Sequence, residues 1–134
     1  MYKHSHKLRI RYGETDQMGY CYYGNYAQFF EIGRVETLRS LGMSYKEIEK
    51  NGFMLPVSEL RTKYLKPSFY DDEITIVTTI KKTPSVKIEF DYEIFNEKGE
   101  LLTIAYTKLV FVNIETMKPC PGPKKLIALF ENSI

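Results

Sequence analysis

The chain predicts an α+β fold in which a curled, five-stranded antiparallel sheet wraps around one long central helix. Three observations carry that prediction. Only one stretch, Asn25 to Leu41, repeats apolar residues at helical spacing over several turns. The segments around it alternate with period two, most cleanly over residues 86–95, which is the pattern of a sheet with one wet and one buried face. The links Thr83-Pro84-Ser85 and Asn96-Glu97-Lys98-Gly99 are short turns, so the last three strands form a meander. One helix covering one face of such a sheet is a two-layer arrangement.

Each element follows in order. Residues 7–12, KLRIRY, alternate polar and apolar and predict a short strand. GETDQMGYCYYGN has three glycines and four polar turn-formers and reads as a loop. From Asn25, an expected N-cap, the residues Tyr26, Phe29, Phe30, Gly33, Thr37, Leu38 and Leu41 share a helical face, and Gly42 ends it. That helix spans about 25 Å, enough to cross a sheet. Ser44 with Glu47 three residues on starts a second, short helix to Lys50, closed by Asn51-Gly52. Strands are expected over 54–67, carrying Val57, Leu60, Tyr64 and Leu65, and over 73–81, with Ile74, Ile76, Thr78 and Ile80 on one face. In 86–95, Val86, Ile88, Phe90, Tyr92 and Ile94 point inward, with Lys87, Glu89, Asp91 and Glu93 outward. Residues 100–113 are apolar on both faces for part of their length, so that strand is expected inside the sheet and partly covered twice. Pro119, Pro121 and Pro123 break the chain before a terminal helix over Lys124–Glu131.

Composition narrows function. The 134 residues predict a single domain over 1–134, and 19 basic against 17 acidic residues leave a net charge of +2. Such a balance offers no electrostatic footprint for nucleic acid. The longest apolar run, Leu126–Phe130, has five residues against about 20 for a membrane span. The basic start has no apolar stretch behind it, which argues against a secretory signal. With only Cys21 and Cys120 the expected setting is the cytoplasm, both thiols reduced. Aromatics make up 14% of the chain, and seven of the nineteen fall between Tyr12 and Phe30, which marks either a dense core or an apolar pocket lining.

The chemistry is narrowed by what the motifs omit. His4 and His6 lie near the start and are expected to be frayed or exposed, which leaves no ordered histidine for a nucleophile–base pair. No metal-ligand spacing, Gly-rich dinucleotide loop or P-loop is present, so no metal and no cofactor is expected. The remaining candidate is Asp16, nine residues ahead of Asn25. On its own it reads as a turn-fixing residue. It would also suit acyl transfer: a helix start polarises a docked carbonyl while a carboxylate opposite attacks or activates water.

The segment GETDQMGYCYYGNYAQFFEIGRVE resembles the motif region of the hotdog-fold acyl-CoA thioesterases, in the subgroup that includes 4-hydroxybenzoyl-CoA thioesterase. That pattern runs Asp, two residues, Gly, three residues, an aromatic or histidine, two residues, Tyr, then Glu and Arg three apart. It falls here on Asp16, Gly19, Tyr23, Tyr26, Glu31 and Arg34. The similarity continues through YLKPSFYDDEITIVTTI and covers residues 7–128.

The resemblance implies a hydrolase of short-chain or aromatic acyl-CoA, or of an acylated carrier protein. Asp16 becomes the catalytic carboxylate, as nucleophile or general base, and the Tyr23 backbone N–H the oxyanion donor. Some relatives carry histidine where Tyr23 stands, which leaves the backbone donor intact. Gly19 lets the loop pass close to the thioester, Tyr22 and Tyr26 flank the substrate, and Lys63, Lys66 and Lys82 are candidates to meet CoA phosphates. Glu31 and Arg34, one turn apart, suit an ion pair, and Cys21 a small pocket-lining role. An open sheet edge and an uncovered face, together with the resemblance, imply a homo-oligomer: a dimer at least, with a tetramer expected. The competing function is a non-catalytic acyl-thioester-binding module of the same fold.

Overall fold

The computed structural model describes residues 1–133. A first strand, β1 (Tyr2–Arg9), leads through a loop into the long helix α1 (Tyr26–Leu41) and the short helix α2 (Tyr45–Lys50). Then follow β2 (Phe53–Met54), β3 (Val57–Tyr64), β4 (Glu73–Ile80), β5 (Lys87–Phe95), β6 (Leu101–Val110), β7 (Val112–Asn113) and the helix α3 (Lys124–Asn132). Five strands form one antiparallel sheet in the order β1-β4-β5-β6-β3, while β2 and β7 pair separately. The β4-β5-β6 meander and the layer of one long helix on one sheet face are as the sequence predicts.

The buried face of the sheet carries Ile74, Ile76, Ile88, Phe90, Tyr92 and Ile94, and α1 presents Phe29, Phe30 and Leu38 to the core. Phe30 packs on Tyr92 with ring centroids 4.8 Å apart. Gly33 lies in the middle of α1 because the helix rides close to β4: a Cβ there would stand 2.7 Å from Thr78 Oγ1 and 2.9 Å from Ile76 Cγ2. Gly42, at φ +122°, terminates α1, its N–H donating to the carbonyls of Leu38 and Arg39. Ser44 Oγ accepts the Glu47 N–H to cap α2.

Several expectations change. β1 starts at Tyr2 and ends at Arg9, so His4 and His6 are ordered in an edge strand, paired opposite Thr78 and Ile76 of β4. The shift was hidden because KHSHK contains no apolar residue: Lys3, Ser5 and Lys7 face outward, and the inner face of this edge is only half-buried. The strand expected over 54–67 divides into β2 and β3, and Val86 lies outside β5 with its side chain exposed. β6 is interior, between β5 and β3, but only one of its faces is covered in the single chain, and Ile104 on the other is exposed. That outer face is charged: Tyr106 O–H donates to Glu89 at 2.7 Å, and Arg61 lies over the Tyr106 ring at 4.3 Å.

Candidate active site

The loop between β1 and α1 is built from short hydrogen-bonded turns. Asp16 N–H donates to Tyr20 O at 2.9 Å, Gly19 N–H to Asp16 O at 3.0 Å, and Met18 N–H to Asp16 Oδ1 at 2.9 Å. Asp16 therefore does fix a turn, and Gly19, at φ +82°, occupies its left-handed position. The other carboxylate oxygen, Oδ2, takes no hydrogen bond among the described residues. Cys21 N–H donates to Ser68 O at 2.7 Å, which ties the loop to the segment between β3 and β4.

The start of the long helix differs from the expectation. Tyr22 is extended (φ −62°, ψ 131°), and a 3₁₀ turn over Tyr23–Asn25 runs directly into α1. Asn25 does not act as an N-cap. It is already helical, and its Nδ2 donates to Glu14 O at 2.8 Å. Tyr22 N–H donates to the same carbonyl, also at 2.8 Å. The first two amides of the helical run, Tyr23 and Gly24, have no acceptor among the described residues. A Cβ at Gly24 would meet the exposed Tyr22 ring at 2.5 Å and would turn that ring aside.

Between this helix start and residues 64–67 lies a cavity of about 270 Å³. Asp16, Tyr23, Tyr26, Tyr64 and Lys66 line it, with Cys21 and Pro67. Four tyrosines, Tyr20, Tyr23, Tyr26 and Tyr64, contribute to its wall: the Tyr64 ring meets Tyr26 edge-on at 5.2 Å and Tyr23 at 6.3 Å. Tyr26 is buried, and its hydroxyl bonds Ser68 Oγ at 2.9 Å. Among the described residues, Asp16 is the only acidic group on the wall and Lys66 the only basic one. Lys66 Nζ lies 2.6 Å from Glu100 Oε2 and also borders an adjoining hollow of about 440 Å³ formed with Phe69, Asp72 and Lys98. Burial pushes the Cys21 thiol up to about 11 against the opposing Ser68 hydrogen bond, with Glu14 and Asp16 adding to the rise, so at neutral pH it is a protonated wall group.

The structure thus gathers Asp16, Tyr23, Tyr26 and Lys66 at one cavity. Gly19 shapes the neighbouring turn without forming its wall, and Tyr22 packs outside, tilted against Tyr23 with centroids 5.0 Å apart. Lys63, one residue before Tyr64, falls on the opposite sheet face beside Arg61, Asp91 and Tyr106. Lys82 follows the far end of β4, roughly 25 Å along the strand from the end nearest the loop. Arg34 does not pair with Glu31, which is exposed; it is buried, and its Nε donates to Tyr45 Oη at 2.9 Å. His4 and His6, although ordered, are absent from the cavity wall.

Three residues of the site escape sequence reasoning. Tyr64 reads there as one more strand aromatic, and Ser68 has no signal beyond following a proline. Glu14 is buried, its carboxylate accepting Arg11 N–H at 2.7 Å and Arg11 Nη2 at 3.2 Å. Its three-residue spacing from Arg11 was the available sign. Among the described residues no helix is long and apolar enough to cross a membrane, and no cluster of three or more His, Cys, Asp and Glu side chains is placed to hold a metal ion.

A family model described as the thioesterase-like superfamily matches residues 10–130. The chain is 35% identical over 113 residues to YneP of Bacillus subtilis, covering 84% of this chain and 82% of that protein. It is 30% identical over 124 residues to the acyl-CoA thioester hydrolase YbgC of Escherichia coli O157:H7, covering 92% of each. A crystal structure of a DHNA-CoA thioesterase from Staphylococcus aureus superposes with a TM-score of 0.86 at 40% identity, over 90% of this chain and 81% of that one.

Proposed function

The chain belongs to the thioesterase-like superfamily and has its hotdog architecture, and we propose that it hydrolyses acyl-CoA thioesters at the Asp16 cavity, as one domain spanning the chain. The observation that carries this reading is the pairing of a carboxylate whose Oδ2 is free with an uncapped helix start across one aromatic-walled cavity. The thioester carbonyl accepts from the Tyr23 N–H, and the helix dipole favours the negative charge that grows on its oxygen. In the general-base route Asp16 takes a proton from water as the water oxygen bonds the carbonyl carbon. The C–S bond then breaks and the CoA thiolate leaves without needing an acid in that step. The proton on Asp16 passes to the thiolate or to solvent, restoring the carboxylate, and the acid product loses its proton to solvent and departs as its carboxylate. In the nucleophilic route Asp16 itself bonds the carbonyl carbon, thiolate leaves, and water opens the resulting anhydride.

The acyl group is short-chain or aromatic, and two observations favour an aromatic one. Tyr20, Tyr23, Tyr26 and Tyr64 offer ring faces and edges to a flat acyl group. The 40%-identical neighbour is named a DHNA-CoA thioesterase, and a Synechocystis neighbour of the same fold a 1,4-dihydroxy-2-naphthoyl-CoA thioesterase. Lys66, at the junction of cavity and hollow, is the basic residue best placed for a CoA phosphate, and an acylated carrier protein would approach by the same mouth. The assembly is a homodimer at least, joined through the β3 edge, where Val57, Leu60, Tyr64 and Leu65 are exposed. Because Tyr64 belongs both to that edge and to the cavity wall, a partner there would complete the site. A tetramer would use further surfaces. The setting is cytoplasmic, consistent with two free thiols.

The test is thiol release from a panel of short-chain and aromatic acyl-CoAs, with Asp16→Asn as the variant. Turnover should fall by about 10²–10⁴-fold while acyl-CoA binding persists. Near-normal turnover in that variant refutes the mechanism. A wild-type protein that binds every acyl-CoA and releases no thiol is instead a binding module.

A further inference from the structure

We propose that Asn25 is a positioning residue for this hydrolysis, holding the free Tyr23–Gly24 amides in register with Asp16 through the carbonyl of Glu14. The inference rests on the proposed thioesterase reading and goes beyond it by assigning a role to a side chain that touches neither substrate nor the reacting atoms.

Asparagine at a helix start ordinarily accepts, through its side-chain oxygen, an amide two or three residues further along the helix. Asn25 cannot do so. A 3₁₀ turn places it inside the helical run (φ −79°, ψ −17°), and its side chain is used as a donor instead, to Glu14 O at 2.8 Å. The same carbonyl accepts Tyr22 N–H at 2.8 Å. The two donors bracket Tyr23 and Gly24 in sequence, so the peptide units carrying the free amides are clamped on both sides. The acceptor belongs to the residue two before Asp16, which links the carboxylate-bearing loop to the helix start. Glu14 cannot drift, because it is buried and its carboxylate folds back onto the backbone and guanidinium of Arg11. On the far side of the loop, Asp16 N–H to Tyr20 O and Cys21 N–H to Ser68 O close the frame. Removing the Asn25 donor frees one side of the clamp and lets the amides tilt against Asp16. Misplacement by a fraction of an ångström to 1 Å at a reacting centre lowers a rate by up to about 10²-fold.

The experiment compares wild type with Asn25→Ala and with Asn25→Asp, which keeps the shape of asparagine but has no N–H to donate. Two non-hydrolysable CoA probes carry the same acyl chain. One is a trifluoromethyl ketone, whose hydrated or tetrahedral form places an oxygen at the amides. The other is a thioether without a carbonyl oxygen. The expected result is a kcat lower by about 10–100-fold at a KM within about threefold. Ketone-probe binding weakens by a similar factor, and thioether binding is unchanged. A merely structural role would weaken both probes together. Asn25→Ser, whose hydroxyl is too short to hold the same carbonyl, serves if the other variants fold poorly and should show the same split. Unchanged kcat, or equal loss of both probes in every folded variant, overturns the inference alone. A wild type that releases no thiol and binds ketone and thioether equally well refutes the hydrolase reading, and this inference with it.

Discussion

Replacing Gly33 by alanine sets two known effects against each other, and the structure decides between them. Alanine in a helix interior is favoured over glycine by about 0.5–1 kcal/mol. A Cβ at this position, however, would lie 2.7 Å from Thr78 Oγ1 and 2.9 Å from Ile76 Cγ2. Both neighbours are β-branched side chains of β4, an interior strand, and neither can swing away at χ1. Restoring a normal contact of about 3.5 Å means moving α1 off the sheet by roughly 0.6–0.8 Å. Overpacking of this kind costs about 1–3 kcal/mol, so Gly33→Ala should destabilise by about 0.5–2 kcal/mol net. Urea unfolding followed by circular dichroism measures this directly, and the melting temperature should fall by about 2–6 °C. Thr78→Ala supplies the control. It removes the nearest atom, itself a buried hydroxyl without a hydrogen-bond partner, so Gly33→Ala should cost about 1 kcal/mol less in that background. Stabilisation by Gly33→Ala, or a cost that Thr78→Ala leaves untouched, would refute the argument that the sheet wall sets this glycine.

Two further outcomes follow from titrating groups. The Cys21 thiol, pushed up to about 11 chiefly by burial, leaves about one molecule in a thousand as thiolate at pH 8. Iodoacetamide at pH 8 should therefore leave Cys21 unmodified in the folded protein and alkylate it in urea, as read by peptide mass spectrometry; rapid stoichiometric labelling of the native protein would contradict this. The Glu89 carboxyl is held below its usual range first by the Tyr106 hydroxyl, against an opposing effect of burial and with help from Lys87. A carboxyl depressed in the folded state adds stability above its unfolded value of about 4.3 and loses it as pH falls through the folded one. Tyr106→Phe should accordingly cost up to about 1 kcal/mol at pH 6–7, limited by solvent screening at the open sheet face, and progressively less toward pH 3. A cost independent of pH would show that the lost contact is packing and not charge.

Legibility in the sequence followed physical cause. α1 was readable because Tyr26, Phe29, Phe30, Gly33, Thr37 and Leu38 all bury on one stripe, and β5 because Ile88, Phe90, Tyr92 and Ile94 alternate against charges. β1 was half-readable, since an edge strand with Lys3, Ser5 and Lys7 outward carries no apolar signature. Asn25 was placed correctly at the helix start, but its side chain went to a loop carbonyl eleven residues back, a long-range choice that local propensity cannot express. Arg34 was matched to Glu31 by spacing, yet the aromatic hydroxyl of Tyr45 from the next helix took it. Of the site, Asp16 and Tyr23 were visible through motif spacing. Tyr64 at the end of β3 and Lys66 just past it join them on the cavity wall, with Ser68 holding Tyr26 and Cys21 from behind, and pairing across some fifty residues of sequence has no local trace. Lys63 and Lys66 looked equivalent, but strand alternation sends Lys63 to the opposite face, while Lys66 lies beyond the end of β3.

The pairing of β1 with β4 has a consequence during synthesis. Tyr2 finds its place opposite Ile80 and Arg9 opposite Glu73, so the first strand made must wait for roughly 70 further residues before it has a neighbour. At about 5–20 residues per second on the ribosome, that wait is roughly 4–14 seconds. A hydrophobic ribbon left unpaired so long would be a hazard to the nascent chain, whereas KHSHK stays hydrated until β4 emerges. The hydrophilic beginning of this sheet is the form in which a strand can afford to be early.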